Sequence, residues 1–306
     1  MTSVSIPDEL VRLGLPPLPE ALPADVVDNH THLDSTHEMS GLSPEANLSA
    51  AESVGVTRTV QVGCDVVSSY WAADFAAQHE QVVAAVAVHP NDAVKLVSRE
   101  APAALDEAMA QIQKLAMRSQ VRAVGETGLD YFRTHADENR ELQRRAFAAH
   151  IEIAKATGKT LVIHDRDAHA DVLSVLDKVG WPERTVFHCF SGDADFALVC
   201  LKHEVWLSFG GSLTFKANVS LRKALAVTPP ERVLLETDAP YLTPAPLRGR
   251  PNAPYLAPHT LRFLVENRAL NRSIHTPGEP PDLETWCHEI NLNTDEAYGG
   301  PWSQVG

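Results

Sequence analysis

"VVDNHTHLD", residues 26–34, runs from apolar residues into a carboxylate, Asp28, and then into two histidines at alternate positions, His30 and His32. Two readings fit this stretch alone. It is a metal clamp at the end of a β-strand, or it is a polar loop holding two imidazoles. The choice depends on what stands at the ends of the other strands.

Eight short β-rich runs follow one another at regular intervals: 25–28, 57–63, 81–88, 121–126, 160–164, 185–188, 205–209 and 232–236. Most are near-continuous Val, Leu, Ile or Phe, the pattern of strands buried on both faces. Helical patterns lie between them. Residues 138–159 place Phe147, Ile151 and Ala154 at helical spacing before a C-capping Gly158, and 43–55, 102–118 and 193–204 read as helices too. Strands alternating with helices imply a parallel sheet with crossover helices. Eight such units make an α/β chain, a (β/α)8 TIM-like barrel. An open doubly wound sheet is the runner-up, but the Gly-rich phosphate turn usual after its first strand is missing. The barrel spans 25–270. Residues 1–24 form a Pro-rich extension with a short helix at 7–14. Residues 271–306 form a second extension, with a loop at 271–281 and a short helix at 282–290 that Asp282 caps.

Composition narrows the function classes. The chain has 306 residues, 44% hydrophobic and 22% charged, enough to bury a large core without disulfides. Cys64, Cys189, Cys200 and Cys287 include no CxxC pair, so they read as reduced thiols. No signal-peptide or membrane-spanning pattern is present, and the expected location is the cytoplasm. The formal charge of −14 opposes an extended duplex-binding face. Bound cations would invert that potential locally.

Metal-capable residues recur at the carboxyl ends of the predicted strands: His30 and His32, His89, Glu126, His164, His188 and Asp238. A barrel would turn all of them toward one mouth, where this fold builds its active sites. Each has a bland reading as a loop donor, a turn residue or a cap. As a set, those readings would leave many desolvated polar groups without partners. Four imidazoles and two carboxylates suit two divalent ions, zinc or manganese before magnesium. One ion would take His30, His32 and Asp238, the other His164 and His188, with Glu126 as the bridge. His89, later in its loop, reads as a phosphate contact. Asp28 reads as a partner that orients an imidazole.

These motifs, in this order, resemble the TatD family of metal-dependent deoxyribonucleases within the amidohydrolase superfamily. "DNHTHLD", "AVHP", "GETGLDYF", "HDRDAH", "HCFSG", "ETDAPYL" and "RGRPNAP" carry the resemblance, from about Val26 to about Leu270. Ala87 replaces a usual glycine. The resemblance implies a TIM-like barrel, the six ligands named above and hydrolysis of DNA phosphodiesters, often as a 3′-to-5′ exonuclease. Barrels of the wider superfamily often use a carboxylated lysine as the bridge, but here the fourth strand ends in Glu126.

Glu126 and Asp238 are the expected catalytic residues. Asp238 acts as general base, as a ligand, or as both. Substrate contacts are expected from His89, Arg166, Tyr131, Arg250 and Asn252, with Arg248 and Phe132 nearby. Arg166 has an ion pair with Asp165 or Asp167 as its alternative, and Tyr131 and Phe132 have loop packing as theirs. The expected partner is DNA, single-stranded or at a 3′ end, with neither a membrane nor an obligate protein partner. A small-molecule amidohydrolase, lactonase or phosphotriesterase on the same barrel is the alternative.

Overall fold

The computed structural model describes residues 5–99, 101, 103–270 and 282–302. Its strands are β1 (Val26–Thr31), β2 (Val56–Val62), β3 (Val82–Val86), β4 (Val121–Asp130), β5 (Thr160–Arg166), β6 (Thr185–Phe187), β7 (Trp206–Phe209) and β8 (Val233–Leu235). They form one eight-stranded sheet in the order β1-β2-β3-β4-β5-β6-β7-β8. A parallel bridge from Thr31 to Ala239 ties the end of β1 to the chain beyond β8. Helices alternate with the strands, so the fold is the expected α/β barrel.

The helices are α1 (Ile6–Leu13), α2 (Leu33–Ser40), α3 (Pro44–Glu52), α4 (Val66–Ala76), α5 (Pro90–Arg99), α6 (Ala103–Ala116), α7 (Asp137–Thr157), α8 (His169–Val179), α9 (Ala194–Leu201), α10 (Val219–Val227), α11 (Ala257–Leu270) and α12 (Leu283–Ala297). In α7, Phe147, Ile151 and Ala154 are fully buried, as their spacing requires. Gly158 ends that helix in the left-handed region (φ 63°), where its N–H reaches the Ala154 and Lys155 carbonyls. No described helix is long and apolar enough to cross a membrane.

Packing divides the chain into two units. One comprises Met1–Val60, Gly192–Leu198 and Ser208–Thr294. The other comprises Gln61–Ser191, Val199–Leu207 and Asp295–Gly306.

Three strands outrun their sequence reading, β5 by two residues, to Arg166. β1 continues to Thr31, so His30 lies inside the strand, and α2 begins directly after His32. β4 continues to Asp130, so Glu126 stands mid-strand. The added residues pair in parallel with β5: Thr127 with Ile163, Gly128 with His164, Leu129 with Asp165 and Asp130 with Arg166. A polar run such as "ETGLD" has no strand periodicity to read. Pairing with β5 nevertheless satisfies its backbone.

The C-terminal helix also exceeds its expected length. Asp282 caps it as read, with its Oδ1 accepting from the Thr285 N–H at 2.8 Å. It then runs through polar residues to Ala297. Those residues bind backbone: Asn293 donates to the Pro230 and Val233 carbonyls at 2.8 and 2.9 Å, and Asn291 donates to the Asp25 carbonyl at 2.7 Å. The loop expected at 271–281 lies outside the described residues.

Gly128 has a φ of +133°, and a Cβ there would collide with the His164 carbonyl oxygen. Gly158 is also left-handed but has open space around it. Gly158→Ala should therefore cost only the backbone penalty of about 1–2 kcal/mol. Gly128→Ala should cost clearly more, because the two strands must also part. Urea unfolding of both variants checks this, and equal losses would remove the close approach of β4 to β5 as a constraint.

Candidate metal-binding active site

In the first unit, β1 delivers His30 from its interior and His32 one residue past its end. Both rings approach Asp238, which lies beyond β8. Asp238 Oδ1 is 3.5 Å from His32 Nε2 and 3.9 Å from His30 Nε2. The two rings meet edge to face with centroids 5.1 Å apart. Asp238 sits in the left-handed region (φ 53°), which aspartate tolerates better than most residues. Its N–H donates to the His30 carbonyl at 2.9 Å, and its own carbonyl accepts from Tyr241 at 2.8 Å. His30 is wholly buried, whereas the Asp238 side chain keeps 13% of its surface open.

A buried polar frame stands behind this group. Thr237 donates to both Asp28 oxygens, by its N–H at 2.8 Å and its hydroxyl at 2.5 Å. Asp28 therefore braces the turn that carries Asp238, and no imidazole takes its carboxylate in the bonds described; this corrects the orienting role read from sequence. Burial pushes the Asp28 carboxyl up to about 7, against those two bonds. Beside it, Asn29 donates to the Ser208 hydroxyl at 2.7 Å and the Leu235 carbonyl at 2.6 Å. Ser208 in turn donates to Glu236 at 2.6 Å.

Asn252 belongs to this frame and is not placed for substrate. It is buried, its amide donates to the Thr237 and Tyr241 carbonyls at 2.8 and 2.6 Å, and its oxygen accepts from Ala253 at 3.0 Å. With its side chain committed on both ends, it holds the Asp238 turn from the opposite side.

In the second unit, three imidazoles converge on one oxygen. Glu126 Oε1 lies 2.5 Å from His164 Nδ1, 2.9 Å from His188 Nε2 and 3.6 Å from His89 Nε2. His164 also turns its Nε2 to Asp130, at 3.4 Å. Asp130 is held by the Asn91 amide at 2.8 Å and the Arg133 N–H at 2.9 Å.

These contacts decide the charges. Burial opposes ionisation of Glu126, but His188, His89 and His164 together hold its carboxyl well below the usual range. Burial likewise opposes a charge on His164, yet Glu126 and Asp130 outweigh it and raise the ring to about 9. For His89, burial outweighs the pull of Glu126 and lowers the ring to about 3. His89, read from its loop position as a phosphate contact, thus presents a neutral nitrogen to Glu126. It joins the donor group, because the chain folds back directly after β3 and its N–H is held by the Cys64 carbonyl at 2.8 Å.

Both groups fit a divalent cation. His30, His32 and Asp238 each offer a ligand atom, all within 4.8 Å of one another, and so do His89, Glu126 and His164. Convergence of several imidazoles on one carboxylate is a donor set, with nitrogen and oxygen in the proportions that zinc and manganese accept.

The remaining expected contacts divide into exposed and engaged groups. Arg166 is exposed and stacks over Phe132, itself 52% exposed, at 3.9 Å. The nearby Asp165 pairs instead with His169 at 2.7 Å. Tyr131 is engaged: its hydroxyl donates to Asp171 at 2.6 Å, Arg144 binds both, and Arg140 covers its ring at 4.5 Å. That is the packing alternative for Tyr131. Arg250 is exposed but donates to the Gly14 carbonyl at 2.5 Å, and Arg248 stacks over Phe215.

Three residues escaped the sequence reading. Cys64 brings its Sγ to 4.0 Å from Glu126 Oε2. Asp130 hides in the polar end of β4. His150, on α7, is fully buried; its Nε2 accepts from Val88 N–H at 3.1 Å and its Nδ1 meets Thr127 Oγ1 at 2.9 Å. It thereby ties the residue before His89 to the residue after Glu126. "GETGLD" held the one available signal, a second carboxylate four residues after the first.

Comparison with known proteins agrees with this picture. A family model described as "TatD related DNase" matches residues 27–275. An "uncharacterized metal-dependent hydrolase TatD" of Mycobacterium tuberculosis is 41% identical over 280 residues, covering 90% of this chain and 99% of that protein. A Bacillus subtilis relative, the "uncharacterized metal-dependent hydrolase YabD", is 33% identical and covers 78% of this chain and 89% of its own length. Among solved structures, the Escherichia coli TatD homologue YjjV superposes with a TM-score of 0.75 at 24% identity, over 90% of this chain and 98% of that one. This likeness is one of fold. A family match across four-fifths of the sequence joins the barrel and the histidine–carboxylate groups on its strand ends: the chain belongs to the TatD family of metal-dependent hydrolases.

Proposed function

We propose that this protein hydrolyses phosphodiester bonds of DNA, acting on single strands or 3′ ends in the cytoplasm, with two divalent cations. One cation is assigned to His30, His32 and Asp238. The other is assigned to Glu126, His164 and His188, with His89 in reach. The convergence of three imidazoles on Glu126 Oε1 carries this reading. The family description, "TatD related DNase", supports a DNA substrate. When bound, zinc or manganese, or magnesium in their place, would acidify a water and neutralise phosphoryl oxygens.

The residues of the chain do the rest. Asp238 is partly open to solvent and is held by its own backbone bonds, so its carboxylate can accept the proton of the attacking water. The Thr237, Asp28 and Asn252 bonds keep that carboxylate from turning away. Arg166 offers an exposed guanidinium to a phosphate, and the Phe132 face beneath it can stack on a terminal base. A net charge of −14 disfavours a long duplex, and this supports a single strand or an end as substrate.

Asp238→Asn should lower kcat on a 3′-labelled single strand by roughly 10²–10⁴-fold, the usual contribution of a positioned acid or base. Glu126→Gln should lose bound metal as well as activity. A panel of lactones, cyclic amides and phosphotriesters run beside the DNA tests the substrate class. Turnover of one of these with no release of nucleotides would overturn the nuclease reading.

Cation uptake at Glu126 should also depend on pH. His164 holds its proton up to about 9, so a cation that binds there at neutral pH must displace that proton. His89, lowered to about 3, is already neutral and adds nothing to this dependence. Affinity should therefore rise with pH and level off near 9. Calorimetry of zinc binding in buffers of different ionisation enthalpy should show proton release at neutral pH. Uptake independent of pH between 6 and 9, a range of about three decades in proton activity, would exclude His164 as a ligand.

A further inference from the structure

The second oxygen of Glu126 faces sulfur. Oε1 is occupied by the three imidazoles, while Oε2 lies 4.0 Å from the thiol of Cys64. Cys64 stands two residues past the end of β2, in the carboxyl-end position that other strands give to a histidine or a carboxylate. Its backbone is anchored. The Cys64 N–H donates to Ser68 Oγ at 3.0 Å, and Ser68 belongs to the capping box that starts α4. The Cys64 carbonyl accepts from the His89 N–H at 2.8 Å, so a hydrogen bond joins the two segments that carry the thiol and the His89 ring. Cys200 and Cys287 differ from it, since both lie buried within helices.

We propose that Cys64 supplies a thiolate donor to the cation held at Glu126, making this a mixed nitrogen, oxygen and sulfur site that prefers zinc and other thiophilic ions to magnesium. The inference rests on the metal reading given above and adds a ligand to it. The thiolate is the form that ligates, so the S–H bond breaks as the sulfur–metal bond forms and the proton passes to buffer. Sulfur is the softest donor among the side chains here, and softness selects zinc or cobalt over magnesium whatever the carboxylates prefer.

Cobalt(II) reports both parts separately in the full-length apoprotein. Visible ligand-field bands register binding, and a near-ultraviolet sulfur-to-cobalt charge-transfer band registers a thiolate ligand. Wild type and Cys189→Ser, which tests the cysteine beside His188, should both show the charge-transfer band. Cys64→Ser should lose it while keeping visible bands, which also show that its site still folds. Zinc affinity of Cys64→Ser should fall by at least about tenfold, the lower end of what loss of even an indirect partner costs. Visible bands without charge transfer in wild type, or an unchanged band in Cys64→Ser, would overturn the thiolate and leave the metal reading intact. No cobalt binding at all would overturn both.

Discussion

An ionised carboxylate cannot stay inside a protein unless something compensates it. Glu126 is buried in the middle of β4, and imidazoles on neighbouring segments of its unit compensate it. The arrangement is mutual. Glu126 and Asp130 keep His164 charged where burial alone would discharge it, and His164 keeps both carboxylates ionised. Much local structure follows from this coupling. β4 must run on as a strand past Glu126 so that Asp130 reaches the far nitrogen of His164, and Gly128 must lack a side chain so that β5 can lie against it. A proton is the weakest occupant of such a cluster, and a divalent cation satisfies the same donors more completely.

The His30–His32–Asp238 group is built on a different principle. Its support is a buried hydrogen-bonded frame: Asn29 to Ser208 to Glu236 on one side, Asp28 to Thr237 on the other, and Asn252 beneath the turn. Its members bond to one another or to backbone, and so polar residues persist inside an apolar barrel. The frame leaves Asp238 as the carboxylate with solvent-facing surface, while Asp28, two residues before His30, is sealed away. Burial, and not residue type, separates the solvent-facing carboxylate from the sealed one.

Residues outside the strands also do this positioning. His150 lies on α7, yet it ties Val88 and Thr127, the neighbours of His89 and Glu126. Asn293 and Asn291 on α12 bind the carbonyls flanking β8 and β1. In each case a helix binds backbone or side chains in or beside the barrel strands. Loss of such a contact would act at a distance, through backbone placement.

The amino-acid sequence by itself determined the barrel and singled out the candidate donor residues. Eight apolar runs separated by helical patterns admit few folds, and His30, His32, Glu126, His164, His188 and Asp238 stand out because imidazoles and carboxylates are anomalous at the ends of buried strands. Only the tertiary structure decided how those groups are partnered. Asp28 turned to Thr237 and not to a histidine, Asn252 was consumed by the turn it braces, His89 faced Glu126, and Asp130 and Cys64 entered the cluster. Periodicity reports which residues are buried. It carries no information about hydrogen bonds between residues as far as 209 positions apart, and those bonds set both the orientation and the charge of each group.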